Sequence, residues 1–196
     1  MARLIRTSYK ALAVLVALLA SSIPARAQVL CLTEGDDIAA LRTFDRAITS
    51  YVEMHRRLEA GVPLFIPADP EMSAMASNRL AHAIRFERRD AAAGDIFGPE
   101  VGDFFRARLA SVGRAAGLEP TFDVSPLVDD DAAACTTTPA VNSKVGWAAG
   151  VPITEPVARA LPTLPLELEY RVAGRTLVLV DVAANLVVDV LLDAMP

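Results

Sequence analysis

Residues 168–191 read LEYRVAGRTLVLVDVAANLVVDVL, and this stretch decides the expected fold. From Leu168 to Val172 apolar and charged residues alternate, which is typical of a strand with one buried face. Two runs rich in β-branched residues follow, Thr176 to Val182 and Leu186 to Leu191, each preceded by a short turn. The pattern predicts an antiparallel meander of three strands within residues 166–192. Such a meander needs a cover on its apolar face to be stable.

Three amphipathic helices upstream can supply that cover. Apolar residues recur at steps of three and four from Asp36 to Ala60, from Pro70 to about Arg89, and from Pro99 to Ala116. The second and third helices each open with a proline followed by a glutamate, which suits the first turn. The sequence therefore predicts a helical layer over residues 36–116.

Between residues 118 and 165 the periodicity disappears, because seven prolines interrupt it. We expect this proline-rich segment to be irregular, with a short helix around Val151 to Leu161 as an alternative. The predicted fold class is α+β, with a three-helix layer packed on a C-terminal three-stranded antiparallel β-meander. Residues 28–196 are expected to form this single domain.

Residues 1–27 have the three parts of a secretory signal peptide. A basic start leads to an uncharged run from Ala11 to Ala20, and Ala25-Arg26-Ala27 provides a cleavage site. Cleavage would place the mature chain in the periplasm or outside the cell. No stretch after Ala27 approaches the ~20 apolar residues of a spanning helix, so we expect no stable membrane insertion after cleavage.

The charge of the mature chain makes nucleic acid an improbable partner. The predicted signal peptide holds four of the 19 basic residues and none of the 24 acidic ones, which leaves a formal charge of −9. Nucleic-acid binding depends on lysines and arginines that neutralise phosphates.

Cys31 and Cys135 are the two cysteines of the chain. In an oxidising compartment, a pair without metal-type spacing is expected to form a disulfide bond. That bond would close a loop of about 105 residues and stabilise the fold by about 4–5 kcal/mol on chain-entropy grounds.

His55 and His82 are the two histidines, and each has an ordinary interpretation beside a chemical one. His55 continues the apolar stripe of the first helix, where a neutral histidine with one hydrogen bond at the edge of the core would fit. His82 shares a helix face with Met75, Arg79 and Phe86. A metal site formed by the two histidines and Glu53 or Glu87 is conceivable, but no HExxH or CxxC motif supports it. We predict no metal and no cofactor.

Three charged groups also have an ordinary interpretation beside a chemical one. Asp181 and Asp189 could act as acid and base if one were desolvated, but solvent-facing charges that protect sheet edges are the favoured interpretation. The run Asp129 to Asp131 favours a solvated turn over a calcium loop, because it lacks the spacing and the glycine of such loops. The arginines at 85, 88 and 89 favour helix-end capping over anion binding.

Three sequence blocks carry a resemblance to known proteins: YVEMHRR at 51–57, GDIF with PEV at 94–101, and the tail at 168–191. In their order, they resemble a group of uncharacterised exported proteins of Gram-negative bacteria. The resemblance implies no activity, but it makes residues in these blocks the first candidates for a binding site. With His82 added, the candidates are Tyr51, His55, Arg56, His82, Asp95 and Phe97.

The tail alone also resembles the terminal hairpin of small periplasmic proteins of the nickel and cobalt homeostasis family. The chain has too few histidines to extend that resemblance to a metal site.

The sequence predicts a non-enzymatic exported protein that binds a partner in the envelope, through sheet edges open to strand addition. A small-ligand or metal sensor that uses His55, His82 or the arginine cluster is the first alternative. A hydrolase of envelope material is the second. The partner and the oligomeric state are not indicated.

Overall fold

The computed structural model describes residues 34–61, 70–116, 139–145 and 151–195. The helices are α1 (Glu34–Glu59), α2 (Pro70–Glu87), α3 (Pro99–Ala116) and α4 (Glu155–Ala160), and the strands are β1 (Val151–Pro152), β2 (Leu168–Ala173), β3 (Thr176–Asp181) and β4 (Leu186–Leu191). The predicted signal peptide, the two cysteines and the acidic run at 129–131 lie outside the described residues.

The α+β fold class is confirmed. The three long helices begin and end within about two residues of the bounds expected from periodicity. Different ways of assigning a helix differ by as much at its ends. Pro70 and Pro99 each open a helix and are followed by an acidic residue in the first turn. Local residue choice alone was enough to place these elements.

The sheet is antiparallel, with the strand order β1-β2-β3-β4. Strands β2, β3 and β4 form the predicted meander. The two-residue strand β1 adds a fourth member, pairing Val151 with Val172 and Pro152 with Arg171. β1 and the six-residue helix α4 both fall within the segment expected to be irregular.

The two faces of the sheet are buried in different ways. β2 alternates buried and half-buried positions, whereas every residue of β3 and β4 is buried. On the side of the helices, Leu177, Leu179 and Leu186 join the main core. A second cluster covers the opposite face and consists of valines, with Ala173 packed against them: Val145, Val178, Val180, Val187 and Val190.

A β-bulge in β4 changes which side chains face the helices. Leu179 pairs with Asp189 but Val180 pairs with Val187, so Val188 is an extra residue in the ladder. Val188 lies in the main core. The Asp189 carboxylate is bonded on the same side, by the backbone of a loop whose Phe97 also lies in that core. The bulge therefore breaks the period of two and turns Asp189 towards the helical layer.

Aromatic rings join the helices to the sheet. Phe105 of α3 has no exposed surface, and its ring centroid lies 5.0 Å from that of Phe44 and 5.2 Å from that of Phe97. Tyr170 of β2 lies 6.0 Å away on the sheet side. Tilted and edge-on ring pairs at these separations are favourable beyond their buried area.

The outer edge of β4 is occupied by the chain itself. Asn142 donates its backbone N–H to the Val187 carbonyl at 2.9 Å, and Val187 donates to the Ser143 carbonyl at 2.9 Å. Lys144 forms a bridge with Leu186, and Arg88 donates from Nη1 to the Val188 carbonyl at 3.1 Å. Strand addition at this edge was therefore a wrong expectation, because residues 142–145 and one arginine take up its backbone groups.

Within the described ranges, no helix combines the length and the apolar character needed to cross a membrane.

Phe105→Ala should lower the free energy of unfolding by about 3–5 kcal/mol, because it leaves a cavity among rings that are held by other elements. Urea unfolding followed by circular dichroism measures the change. Phe86→Ala is the matched control, since Phe86 is 69 % exposed and its removal should cost less than about 0.5 kcal/mol. Equal losses in both variants would contradict this account of the core.

Candidate functional site

A buried polar cluster joins α1 to the end of β3. Tyr51 donates its hydroxyl hydrogen to Oδ2 of Asp181 at 2.8 Å, and Nδ1 of His55 lies 2.6 Å from the same oxygen. Oδ1 of Asp181 accepts the backbone N–H of Ala184 at 2.8 Å. All three side chains are buried, with Asp181 at 0 % and His55 at 1 % exposure. Because a carboxylate can only accept, the proton of the His55 contact lies on Nδ1.

Tyr51 and His55 reach one carboxylate because they lie on the same helix face. They are four residues apart in α1, and side chains at that spacing project from one stripe of a helix. That stripe also carries Phe44 and Ile48 into the core. Asp181 follows Leu177 and Leu179 at every second position, so it leaves β3 on the side that faces α1.

Acidic groups also surround the second ring nitrogen of His55. Nε2 is buried without a hydrogen-bond partner, and Oε2 of Glu59 lies 3.5 Å from it. Glu167 stands nearby, with Oε1 bound by Arg56 Nε at 2.6 Å and Oε2 buried without a partner. His55 therefore has carboxylates on both sides of its ring.

This environment shifts several pKa values. Burial raises the pKa of the Tyr51 hydroxyl, and the nearby Asp181 charge adds to the effect, so the hydroxyl stays protonated. For His55, burial lowers the pKa, but the hydrogen bond and charge of Asp181, with Glu59 and Glu167, outweigh burial and raise it. The Arg56 guanidinium lowers the pKa of Glu167 through its hydrogen bond. The cluster thus favours an imidazolium among carboxylates.

Asp189 forms the second buried acidic centre. Its Oδ1 accepts N–H groups from Gly94 and Val190, both at 2.8 Å, and its Oδ2 accepts N–H groups from Ile96 and Phe97, both at 2.7 Å. Gly94 has φ of 91°, a conformation that residues with a side chain rarely adopt. Three of these four donors belong to the loop between α2 and α3, so backbone N–H groups of the loop surround the Asp189 carboxylate.

Expecting solvent-facing positions for Asp181 and Asp189 was wrong, since both are 0 % exposed. The physical reason is that both faces of β3 and β4 are covered, so these strands have no solvent face. Each carboxylate instead has hydrogen bonds on both of its oxygens. The two aspartates belong to two separate hydrogen-bond networks and do not form a pair.

Arg88 connects α1, β4 and the loop between α2 and α3 without a hydrogen bond to Asp189 or to its partners. Its guanidinium stacks over the Tyr51 ring at 5.2 Å and donates to β4, and its Nη2 lies 4.0 Å from Asp95. The other two arginines of the predicted cluster have different partners. Arg85 donates to the Asn142 carbonyl at 2.8 Å, and Arg89 lies 3.4 Å from Asp90. The three side chains do not converge on one anion position.

The structure brings some of the predicted site residues together and separates others. Tyr51 and His55 share Asp181, and Arg56 lies at the rim of that cluster. Phe97 is buried in the aromatic core. Asp95 is half exposed, and its Oδ2 accepts the Ala92 N–H at 3.1 Å.

His82 lies on the solvent side of α2, where Met75 is 52 % and Phe86 is 69 % exposed. Successive residues of a helix are turned by ~100°, so these three side chains point within roughly 40° of one another. Two cations flank them. At ~100° per residue, Arg79 is turned by roughly 40° to one side of Met75, and Asn78 by roughly 60° to the other. Lys144 donates from Nζ to Asn78 Oδ1 on that second side. We call Met75, His82 and Phe86, with Arg79 and Lys144, the α2 ridge.

Sequence reasoning missed Glu59 and Glu167. It named Arg88, Asp181 and Asp189 but missed the contact of Arg88 with the Tyr51 ring and the burial of the two aspartates. One signal was present, because an aspartate within or directly after a continuous apolar run such as TLVLVD indicates burial on both faces of the strand. The partners of a buried acid cannot be read from sequence separation, since His55 and Asp181 lie 126 residues apart.

The interior clusters are suited to holding elements together. Within the described ranges, no three or more His, Cys, Asp or Glu side chains are arranged to hold a metal ion.

Comparison of the chain with known protein families, with curated proteins and with solved structures finds no match.

Asp189→Asn should lower the free energy of unfolding by about 3 kcal/mol, because an amide NH₂ group would then face backbone donors that need an acceptor. Asp193→Asn is the matched control, since the Asp193 side chain is 80 % exposed. Urea unfolding of both variants measures the difference. A loss in Asp189→Asn no larger than in Asp193→Asn would show that the loop does not depend on this carboxylate.

The contribution of His55 to stability should fall as pH rises. Its pKa is raised in the folded state, so its contribution is complete below pH 6.5, the unperturbed value, and is lost as pH rises through the folded-state pKa. Urea unfolding of the native protein and of His55→Gln between pH 5.5 and 8.5 gives the difference between them. That difference should shrink with increasing pH, and a difference that grows instead would contradict a charged His55.

Proposed function

We propose that this protein is an exported, non-enzymatic interaction protein that binds a protein partner in the cell envelope through the α2 ridge. The signal-peptide pattern at residues 1–27 and the resemblance to exported proteins support the location. The exposed side chains of the α2 ridge support the binding of a protein partner.

The exposure of two large apolar side chains, Phe86 and Met75, on one face of a long helix is the observation that carries this proposal. Large apolar side chains on a surface cost free energy in water, and they are enriched where partners dock. Phe86 and Met75 stand 11 residues apart on one helix face, which corresponds to about 16 Å along the axis. Two exposed anchors on a rigid element, with cations on both flanks, form a pattern that an amphipathic segment can fit.

The buried acids support binding over catalysis. A general acid or base must reach a substrate proton, either directly or through one water molecule. Asp181 and Asp189 have no exposed surface, and their oxygens already accept hydrogen bonds from the chain. A hydrolase that uses these two aspartates would first have to break the contacts that hold α1 and the 94–97 loop to the sheet.

The histidines give the sensor alternative little support. His55 is held inside the fold by Asp181, whereas His82 is exposed on α2. A site that needs both imidazoles would require one of them to leave its position.

A photo-crosslinking residue tests the proposal in the living cell. Benzoylphenylalanine placed at Phe86 should yield a discrete crosslinked product with another protein, because the ridge is in contact with its partner. The same residue at Leu166, which is 98 % exposed, is the control and should yield none. No product at Phe86, or the same products at both positions, would overturn the proposal. Recovery of the uncleaved chain in the cytosol would overturn the location.

A further inference from the structure

We infer that the segment which docks on the α2 ridge is an acidic amphipathic helix of a partner protein. This inference rests on the proposed function and adds the chemistry of the partner to it. Its basis is the charge around the ridge, which is opposite in sign to the charge of the chain.

Neither cation of the ridge has a carboxylate partner within the described residues, and the exposed Glu71, one turn before Met75, takes part in an interaction of its own. Arg79 has no ion pair there, and Lys144 has an amide, Asn78, as its partner. The carboxylates near the C-terminal end of the helix are already paired. Glu87 accepts from Arg57 at 2.7 Å, and Asp90 lies 3.4 Å from Arg89.

The chain as a whole carries a formal charge of −5 at pH 7. A local excess of positive charge on an acidic protein attracts and orients an acidic partner, while the rest of the surface repels it. The ridge therefore suits docking by an acidic segment.

The arrangement of the ridge also indicates the form of the partner. Phe86 and Met75 lie along the centre, with Arg79 on one flank and Lys144 on the other. A helix with an apolar stripe and an acidic residue on each side of that stripe matches this order. Its apolar residues would cover Phe86 and Met75, and its carboxylates would lie over the two cations.

A protein segment fits the ridge better than an anionic membrane does. The apolar part is narrow, because its three side chains come from one stripe of one helix. A flat anionic surface that reached Phe86 would also approach Glu87 and Asp90 near that end of the helix, and it would face the net negative charge of the chain. A second copy of this chain that docked through its own ridge would bring the cations of the two ridges together, and these would repel each other.

Binding of designed peptides to the purified protein tests this inference. The probe is an 18-residue amphipathic helix with a leucine stripe and flanking glutamates, and its match carries lysines in place of the glutamates. We expect the glutamate peptide to bind at least ten-fold more tightly by fluorescence anisotropy at low salt, and the preference to shrink as salt is added.

Variants assign the preference to the ridge. Arg79→Glu with Lys144→Glu should abolish or reverse the preference, whereas Arg159→Glu on α4, a side chain that is 77 % exposed, should leave it unchanged. Phe86→Ser should weaken binding of the glutamate peptide at least ten-fold, and Leu166→Ser should leave that binding unchanged. Circular dichroism of each variant checks that it is folded.

Three results would overturn the inference: equal or undetectable binding of the two peptides, flotation with phosphatidylglycerol vesicles that depends on the ridge, or self-association in sedimentation that Phe86→Ser abolishes. The crosslinking experiment distinguishes a failure of this inference from a failure of the proposed function. Crosslinks at Phe86 without a preference for acidic peptides would refute the charge assignment alone. Absence of those crosslinks would refute the proposed function itself.

Discussion

Asp189 accepts four backbone hydrogen bonds, and this arrangement positions the loop between α2 and α3 against β4. Other parts of the structure depend on it. Phe97 is the last residue of the bonded stretch, its ring enters the aromatic cluster, and Pro99 then opens α3. Phe105 of α3 reaches the centre of that cluster two turns later. Because the β-bulge turns the carboxylate towards the helices, one extra residue in β4 determines how the helical layer meets the sheet.

Asp181 provides a second attachment of the same kind, between β3 and α1. Burying a carboxylate is costly unless hydrogen bonds replace its water, and Tyr51, His55 and the Ala184 N–H supply them. Apolar contacts between helix and sheet tolerate small shifts, whereas a buried carboxylate keeps its hydrogen bonds only if its donors stay in place. The two aspartates therefore select one register of the helices on the sheet.

The use of these polar groups in the interior bears directly on function. The carboxylates of Asp181 and Asp189 bind α1 and the loop between α2 and α3 to the sheet. Residues 142–145 close the outer edge of β4. On α2, two large apolar side chains of one helix face, Phe86 and Met75, and two cations face solvent. A scaffold fixed from within and a helix face directed outward together favour recognition of a partner.

The sequence by itself determined the elements, because local periodicity, prolines and glycines define helices and strands without reference to distant residues. The helices from Pro70 and Pro99 and the strand from Leu186 to Leu191 follow from such signals, as does the selection of Tyr51 and His55 as residues worth testing. Only the tertiary structure decided what the aspartates do. Burial depends on what covers the second face of a strand, and a bulge reverses the direction of Asp189 while leaving the apolar pattern almost unchanged. Contacts such as that of His55 with Asp181 join residues far apart in the chain, and no local pattern specifies them.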